Sequence, residues 1–147
     1  MKREYGQDYT EEAIALFTRF VGRHGFTHEV EIGAPVEVMW NIPAQPGLSL
    51  PIILGLQNYD ELNFGVADFW SYFFPFNRVY ERFERYLDLW VSSDARVAET
   101  GPVGRVLQIR EGKRWKSVYA ANRMLPVWRK PRALVLNDPT YSNSTMT

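Results

Sequence analysis

The sequence predicts an α+β fold: an antiparallel sheet of about seven strands packed against two helices, in the order helix, four strands, helix, three strands. Two stretches of apolar residues at three- and four-residue spacing, 9–24 and 77–91, mark the helices. Runs in which apolar and polar residues alternate mark the strands. The loops between those runs are too short for the crossovers that parallel pairing requires, so the strands are expected to form an antiparallel meander. With 147 residues the chain makes one domain, expected over 1–136, with a loose polar tail over 137–147.

The first helix is predicted over 9–24. Asp8 and Glu11 have the spacing of a capping box, Ala13, Ile14, Phe17, Phe20 and Val21 form its apolar stripe, and Gly25 ends it. Four strands follow. Phe26, His28, Val30 and Ile32 alternate with polar residues; then Val36, Val38, Trp40 and Ile42; then Leu50, Ile52, Leu54 and Leu56; then Leu62, Phe64 and Val66. The second helix, 77–91, would start at Asn77 as its cap and present Tyr80, Phe83, Leu87 and Trp90 to the core. Strands at Ala95–Thr100, Arg105–Glu111 and Arg114–Ala121 complete the set. The segment 124–128 reads as an extended arm.

The stretch 60–76 carries the densest signal. After the alternating 62–66, six of the eight residues from Phe69 to Phe76 are aromatic, and Pro75 stops the run. Each ring buries roughly 150–250 Å², so the stretch is predicted to be the hub of the core, a strand delivering a compact aromatic turn.

Composition narrows the functions. A 46% hydrophobic, 15% aromatic chain fits a filled core rather than disorder. The lack of cysteine removes disulfides, thiolate catalysis and cysteine-based metal sites. The N-terminus lacks the apolar segment of a secretory signal, and no apolar run approaches the ~20 residues that span a bilayer. A cytoplasmic protein with no membrane contact is the expectation.

Candidate sites were weighed residue by residue. His24 falls at a helix end and His28 on an apolar strand face, and no metal-binding spacing joins them. Glu29, Glu31 and Glu37 would share a solvent face. Asp60, Glu61 and Asp68 border the hub, where a carboxylate beside apolar rings can have a raised pKa. No nucleophile elbow or phosphate loop is present, and Ser71 has no neighbouring base. No catalytic residue, metal or cofactor is therefore predicted, and the chain reads as non-enzymatic.

Charge is uneven. Residues 105–132 contain nine basic side chains and one acid, Glu111, although the whole chain is neutral. Arg105, Arg110, Arg114, Lys116 and Arg123 could form a basic patch with Trp115 and Tyr119 beside it, as nucleic-acid binders do. The period of the strand, however, puts Trp115 and Tyr119 on one face and Arg114 and Lys116 on the other, which favours rings in the core and bases in water.

The succession Glu61-Leu62, Val66, Asp68-Phe69-Trp70 and Phe74-Pro75, followed by a helix and strands that end in a Trp/Tyr-bearing strand, resembles a group of small uncharacterised bacterial proteins. The likeness covers roughly residues 25–121. Members of that group show Trp-Phe-Pro-Cys where this chain has Phe73-Phe74-Pro75-Phe76. The resemblance implies a small bacterial cytoplasmic domain and no transferable activity.

Three functions are compatible with these residues. One is an accessory or protein-interaction domain, with a protein partner or self-association favoured by the polarised charge. Another is a small-molecule binder whose aromatic pocket lies between the sheet and the second helix, lined by Phe69, Trp70, Tyr72, Phe73, Tyr80, Phe83 and Trp90 with Asp60, Glu61 and Asp68 near by. The third is nucleic-acid binding through 105–132.

Overall fold

The computed structural model describes residues 7–121 and 131–142. Helix α1 spans Thr10–His24 and α2 spans Phe76–Val91. The first sheet has the order β1 (Glu29–Val30), β2 (Val38–Ile42), β3 (Ile52–Gln57), β4 (Glu61–Val66), β5 (Phe69–Trp70). The second has the order β8 (Arg114–Ala121), β7 (Arg105–Glu111), β6 (Ala95–Glu99), β9 (Ala133–Val135). The class is α+β and the neighbouring strands pair antiparallel. The single sheet of about seven strands gives way, among the described residues, to two sheets and nine strands. Helix α2 stands between β5 and β6, so the meander ends there and a new sheet begins.

The core follows from the register of β2, β3 and β4. Val38, Leu56 and Leu62 lie opposite one another, as do Trp40, Leu54 and Phe64, and then Ile42, Ile52 and Val66. All nine are buried, and burying a large apolar side chain stabilises by roughly 1.5–3 kcal/mol. Helix α1 lays Phe17 edge-on against Trp40, and α2 lays Trp90 edge-on against Phe64. Helix α1 closes at Gly25, whose φ of 69° suits a residue without Cβ.

Several local expectations change. Asp8 does not form a capping box: its Oδ1 accepts from Thr10 N and Oγ1, and α1 has no side-chain cap at its N-cap residue. Leu16 is buried in the helix face where Ile14 is exposed. The first predicted strand shrinks to Glu29–Val30 because the Gln45 side chain accepts the Thr27 N–H that a ladder would have used. Val30 and Ile32, expected on the core face, are exposed. Helix α2 is capped not by Asn77 but by Asp60, whose Oδ1 accepts the N–H of Phe76, sixteen positions later, at 2.8 Å. The carboxylate thereby satisfies an orphan donor at the positive end of the helix dipole.

The helices clasp each other through charge. Glu84 of α2 accepts from Arg19 (2.9 Å) and Arg23 (2.7 Å), while Asp88 meets Arg23 (3.1 Å) and His24 Nε2 (2.7 Å). Burial alone would raise the Glu84 carboxyl, but the two arginine hydrogen bonds outweigh it and hold it below the usual carboxylate range.

The expected loose tail is corrected for its described part. Asn137 is buried, and its side chain accepts from Ser49 N (2.7 Å) and donates to Gly47 O (3.0 Å) and Val91 O (2.8 Å). Residues 143–147 and the arm predicted at 124–128 lie outside the described residues.

Candidate functional site

The aromatic run begins as the two-residue strand β5 and continues extended beside β4 as far as a bridge at Phe73, instead of forming a compact turn. Ala67, with φ of 52°, and Asp68 turn the chain back on β4. Val66 then faces Phe69 and Leu62 faces Phe73, with the N–H and C=O of Leu62 and Phe73 exchanged at 2.8 Å. Midway, Ser71 alters the ladder. Phe64 N–H donates to Ser71 Oγ (3.1 Å) instead of to a carbonyl, and the freed Ser71 O accepts from Asn63 Nδ2 (3.1 Å). The serine inside the aromatic run is thus a buried backbone substitute.

Strand geometry then sorts the rings by period two. Phe69, Ser71 and Phe73 point into the core and are buried. Trp70, Tyr72 and Phe74 point outward; Trp70 is half-buried, while Tyr72 and Phe74 are 45% and 60% exposed. Trp70 lies directly across from Gly65. A Cβ at Gly65 would come within 2.5 Å of Trp70 Cε3, so the glycine is what lets the indole lie against the sheet.

Beside that indole the outer face of the first sheet is concave. A groove of about 490 Å³ is lined chiefly by apolar groups, among them Pro43, Leu50, Pro51, Ile53, Ala67 and Trp70. The row Asn41, Ile53, Gly65, Trp70 crosses the sheet on this face, and small Gly65 leaves the space that its neighbours wall. The volume falls within the range of ligand sites, which are mostly apolar with few polar groups.

The pocket expected between sheet and second helix is filled among the described residues. Trp90 is fully buried against Phe64, Phe73 packs on Phe83 and Tyr86, and Phe69 packs on Phe64 and Tyr119. Of the ten pocket candidates, Trp70 lines the outer groove and the buried Phe69 reaches its lining from the core side, while Phe73, Phe83 and Trp90 belong to the core. Tyr72 stands on the outer stripe. Tyr80 lines a separate cleft between the helices.

The three acids at the hub have structural partners. Asp60 caps α2, and Glu61 Oε1 accepts from Asn58 Nδ2 within the turn (3.1 Å). Asp68 takes a two-pronged grip from Arg105, Nε to Oδ1 at 2.9 Å and Nη2 to Oδ2 at 2.8 Å. Those hydrogen bonds hold the Asp68 carboxyl below the usual carboxylate range, opposite to the raised value a general acid needs.

The basic candidates do not converge on one surface. Arg105 is 7% exposed and buried between sheets, where it also donates to Gly101 O and Gly104 O. Arg110 is held by Asp94 at 2.8 Å, and Lys116 Nζ stands 4.0 Å from Glu111. Arg114 is exposed, and Arg123 lies outside the described residues. A register shift between Leu107 and Gln108 overturns the expected faces of β8. Because the bulge inserts one residue, Tyr119 turns inward onto Phe69 and Phe73. Trp115 lies on the other face, beneath the Arg96 guanidinium at 4.1 Å.

His24 binds Asp88, and His28 stacks on Trp40 at 3.8 Å. Glu31 accepts from Asn41, and Glu37 from Tyr59 N. Among the described residues no three His, Asp or Glu side chains gather at a metal-sized site. Neither is any helix among them long and apolar enough to cross a membrane. The groove was missed because a run of rings conceals its own alternation: nothing but burial distinguishes Phe73 from Phe74.

No family model, curated protein or solved structure matches the chain.

Proposed function

We propose that this protein is a non-enzymatic binding module that takes a small apolar ligand in the groove on the outer face of its first sheet. The observation that carries this reading is the groove itself: about 490 Å³ with an apolar lining, walled by an indole that Gly65 allows to lie flat. The sequence favours an interaction domain first and offers small-molecule binding as the alternative; this reading takes the alternative and moves its site from the helix-facing side of the sheet to the opposite side. The bacterial cytoplasmic setting belongs to the same proposal and rests on the sequence resemblance.

Titration with 1-anilinonaphthalene-8-sulfonate, followed by amide NMR shifts, tests it. The expected result is saturable one-to-one binding with shifts confined to residues 41–43, 50–53 and 65–70. The variant Ile53→Lys, which places a charge in the lining, should abolish binding while the circular dichroism stays native. Binding that persists in Ile53→Lys would refute the reading.

A second reading is favoured by one feature. Tyr72 and Phe74 extend the outward line of Trp70 along the edge of the sheet, giving exposed aromatic surface of the kind enriched at interfaces. Light scattering of the wild type against Tyr72→Ser/Phe74→Ser distinguishes the two: loss of a dimer in the double variant would favour docking, and a monomer in both would favour the ligand groove.

A further inference from the structure

A second concavity lies between the first turns of the two helices, and it shares no residue with the groove on the sheet. It has a volume of about 320 Å³ and is lined by Tyr9, Glu12, Ala15, Arg19, Phe76, Asn77 and Tyr80. Three of these rings form one stack. Phe76 lies parallel to Tyr9 at 4.7 Å and 14°, and parallel to Tyr80 at 5.4 Å and 9°. Residues 76 and 80 are one helical turn apart, which is what brings their side chains together. On α1, Glu12, Ala15 and Arg19 share the facing stripe by the same spacing, and the small Ala15 between two long side chains leaves the space open.

The charges in the cleft are not balanced. The Arg19 guanidinium is committed to Glu84, with Nε to Oε2 at 3.2 Å and Nη2 to Oε1 at 2.9 Å. Among the described residues no basic side chain pairs with Glu12. The dipole of α1 accounts for a carboxylate in its first turn, but it does not account for an aromatic stack beside that carboxylate. The outer face of Tyr80, at the end of a stack whose middle ring Phe76 is buried, and a carboxylate with no basic partner among the described residues attract the same thing, a cation with an apolar body.

We propose that this cleft binds a small organic cation, a quaternary or protonated amine attached to an apolar group, with the stacked rings contacting its body and Glu12 supplying the counter-charge. The volume sits at the lower end of the range for small-molecule sites, which restricts the ligand to one ring or its equivalent. Arg19, already neutralised by Glu84, closes one end of the cleft without opposing the ligand's charge.

The test uses the full chain and benzyltrimethylammonium as probe, with 3-phenylpropanoate as the anionic analogue and 3-phenylpropanol as the neutral one. Amide and aromatic NMR shifts are followed during titration. Saturable binding of the cation is expected, with shifts at Tyr9, Glu12, Phe76 and Tyr80 and none at Ile53 or Trp70, so that success or failure here is separate from that of the sheet groove. Glu12→Gln should weaken binding by about tenfold. Ala15→Leu, a substitution at an exposed position by another good helix former, should fill the cleft and abolish binding with the thermal midpoint retained. Equal affinity for the three probes, unchanged affinity in Glu12→Gln and Ala15→Leu, or no saturable binding at millimolar cation would overturn the proposal.

Discussion

Arg105 shows how much one side chain is asked to do. Its fork grips Asp68, and its other N–H groups reach the carbonyls of Gly101 and Gly104. It joins the turn before β5 to the loop before β7, and thus one sheet to the other. A lysine carries the charge but cannot reproduce a planar fork. Arg105→Lys is therefore expected to lose about 2–3 kcal/mol of unfolding free energy, a sum of charge-assisted hydrogen bonds lost and buried carbonyls left unmet, read from urea denaturation. Asp68→Asn should cost less, because the Asp68 side chain is 61% exposed and solvent screens the pair. The sequence shows the arginine but not this use of it: a basic residue in a basic run gives no sign of a carboxylate 37 positions away.

At the scale of elements, the helices and most strands were legible because their periods survive in the sequence. β7 and β8 have the bounds that alternation predicts, and α1 and α2 lie within one residue of theirs. The failures have physical causes. A bulge in β8 reversed one ring, an edge strand was shortened by a side-chain acceptor, and a helix was capped from a distant turn instead of its own first residues. The helix clasp was also invisible, since α1 and α2 meet only after the first sheet has formed between them in sequence. Its consequence is a pH dependence. The folded-state pKa of Glu84 is lowered, so the native state binds fewer protons than the unfolded chain. The stabilisation is fully present above the unfolded glutamate value near ~4.3 and is lost as pH falls through the lower folded value. Glu84→Gln should reduce stability by about 1–2 kcal/mol at neutral pH, since the charge and one of the two acceptor oxygens that meet the arginines are lost while both arginines can return to water. The difference between variant and wild type should shrink in acid. Denaturation midpoints measured from pH 7 down to pH 3 check this, and a constant difference over that range would assign the loss to packing instead.

At the scale of the molecule, the division into two sheets could not be read in advance, because alternation identifies strands and says nothing of which strands pair. The sheets share one apolar core, and polar contacts are added to it at the edges. Tyr72 N–H donates to Tyr119 Oη at 2.9 Å, tying the edge of the first sheet to the edge strand of the second. Asn137 does the same from the far end of the chain: its amide meets Ser49 N, Gly47 O and Val91 O, which belong to the loop before β3 and the end of α2. Gly47 N–H reaches on to Tyr141 O (2.9 Å) and Asp138 N–H to Ser49 Oγ (2.8 Å). A polar stretch without periodicity reads as loose in sequence, yet here its first residues satisfy backbone groups that no strand or helix serves. Unmet and buried, such groups would each cost about 1–3 kcal/mol. Truncation after Leu136 is therefore expected to destabilise the chain by about 3–5 kcal/mol. Asn137→Ala in the 147-residue chain should reproduce most of this loss, and Asn137→Asp, which sets a buried carboxylate against the Gly47 and Val91 carbonyls, should cost at least as much. If urea denaturation places the chain ending at Leu136 level with the 147-residue chain, the C-terminal residues are a tail after all, and the two sheets are held by their shared core and the Arg105 and Tyr119 contacts.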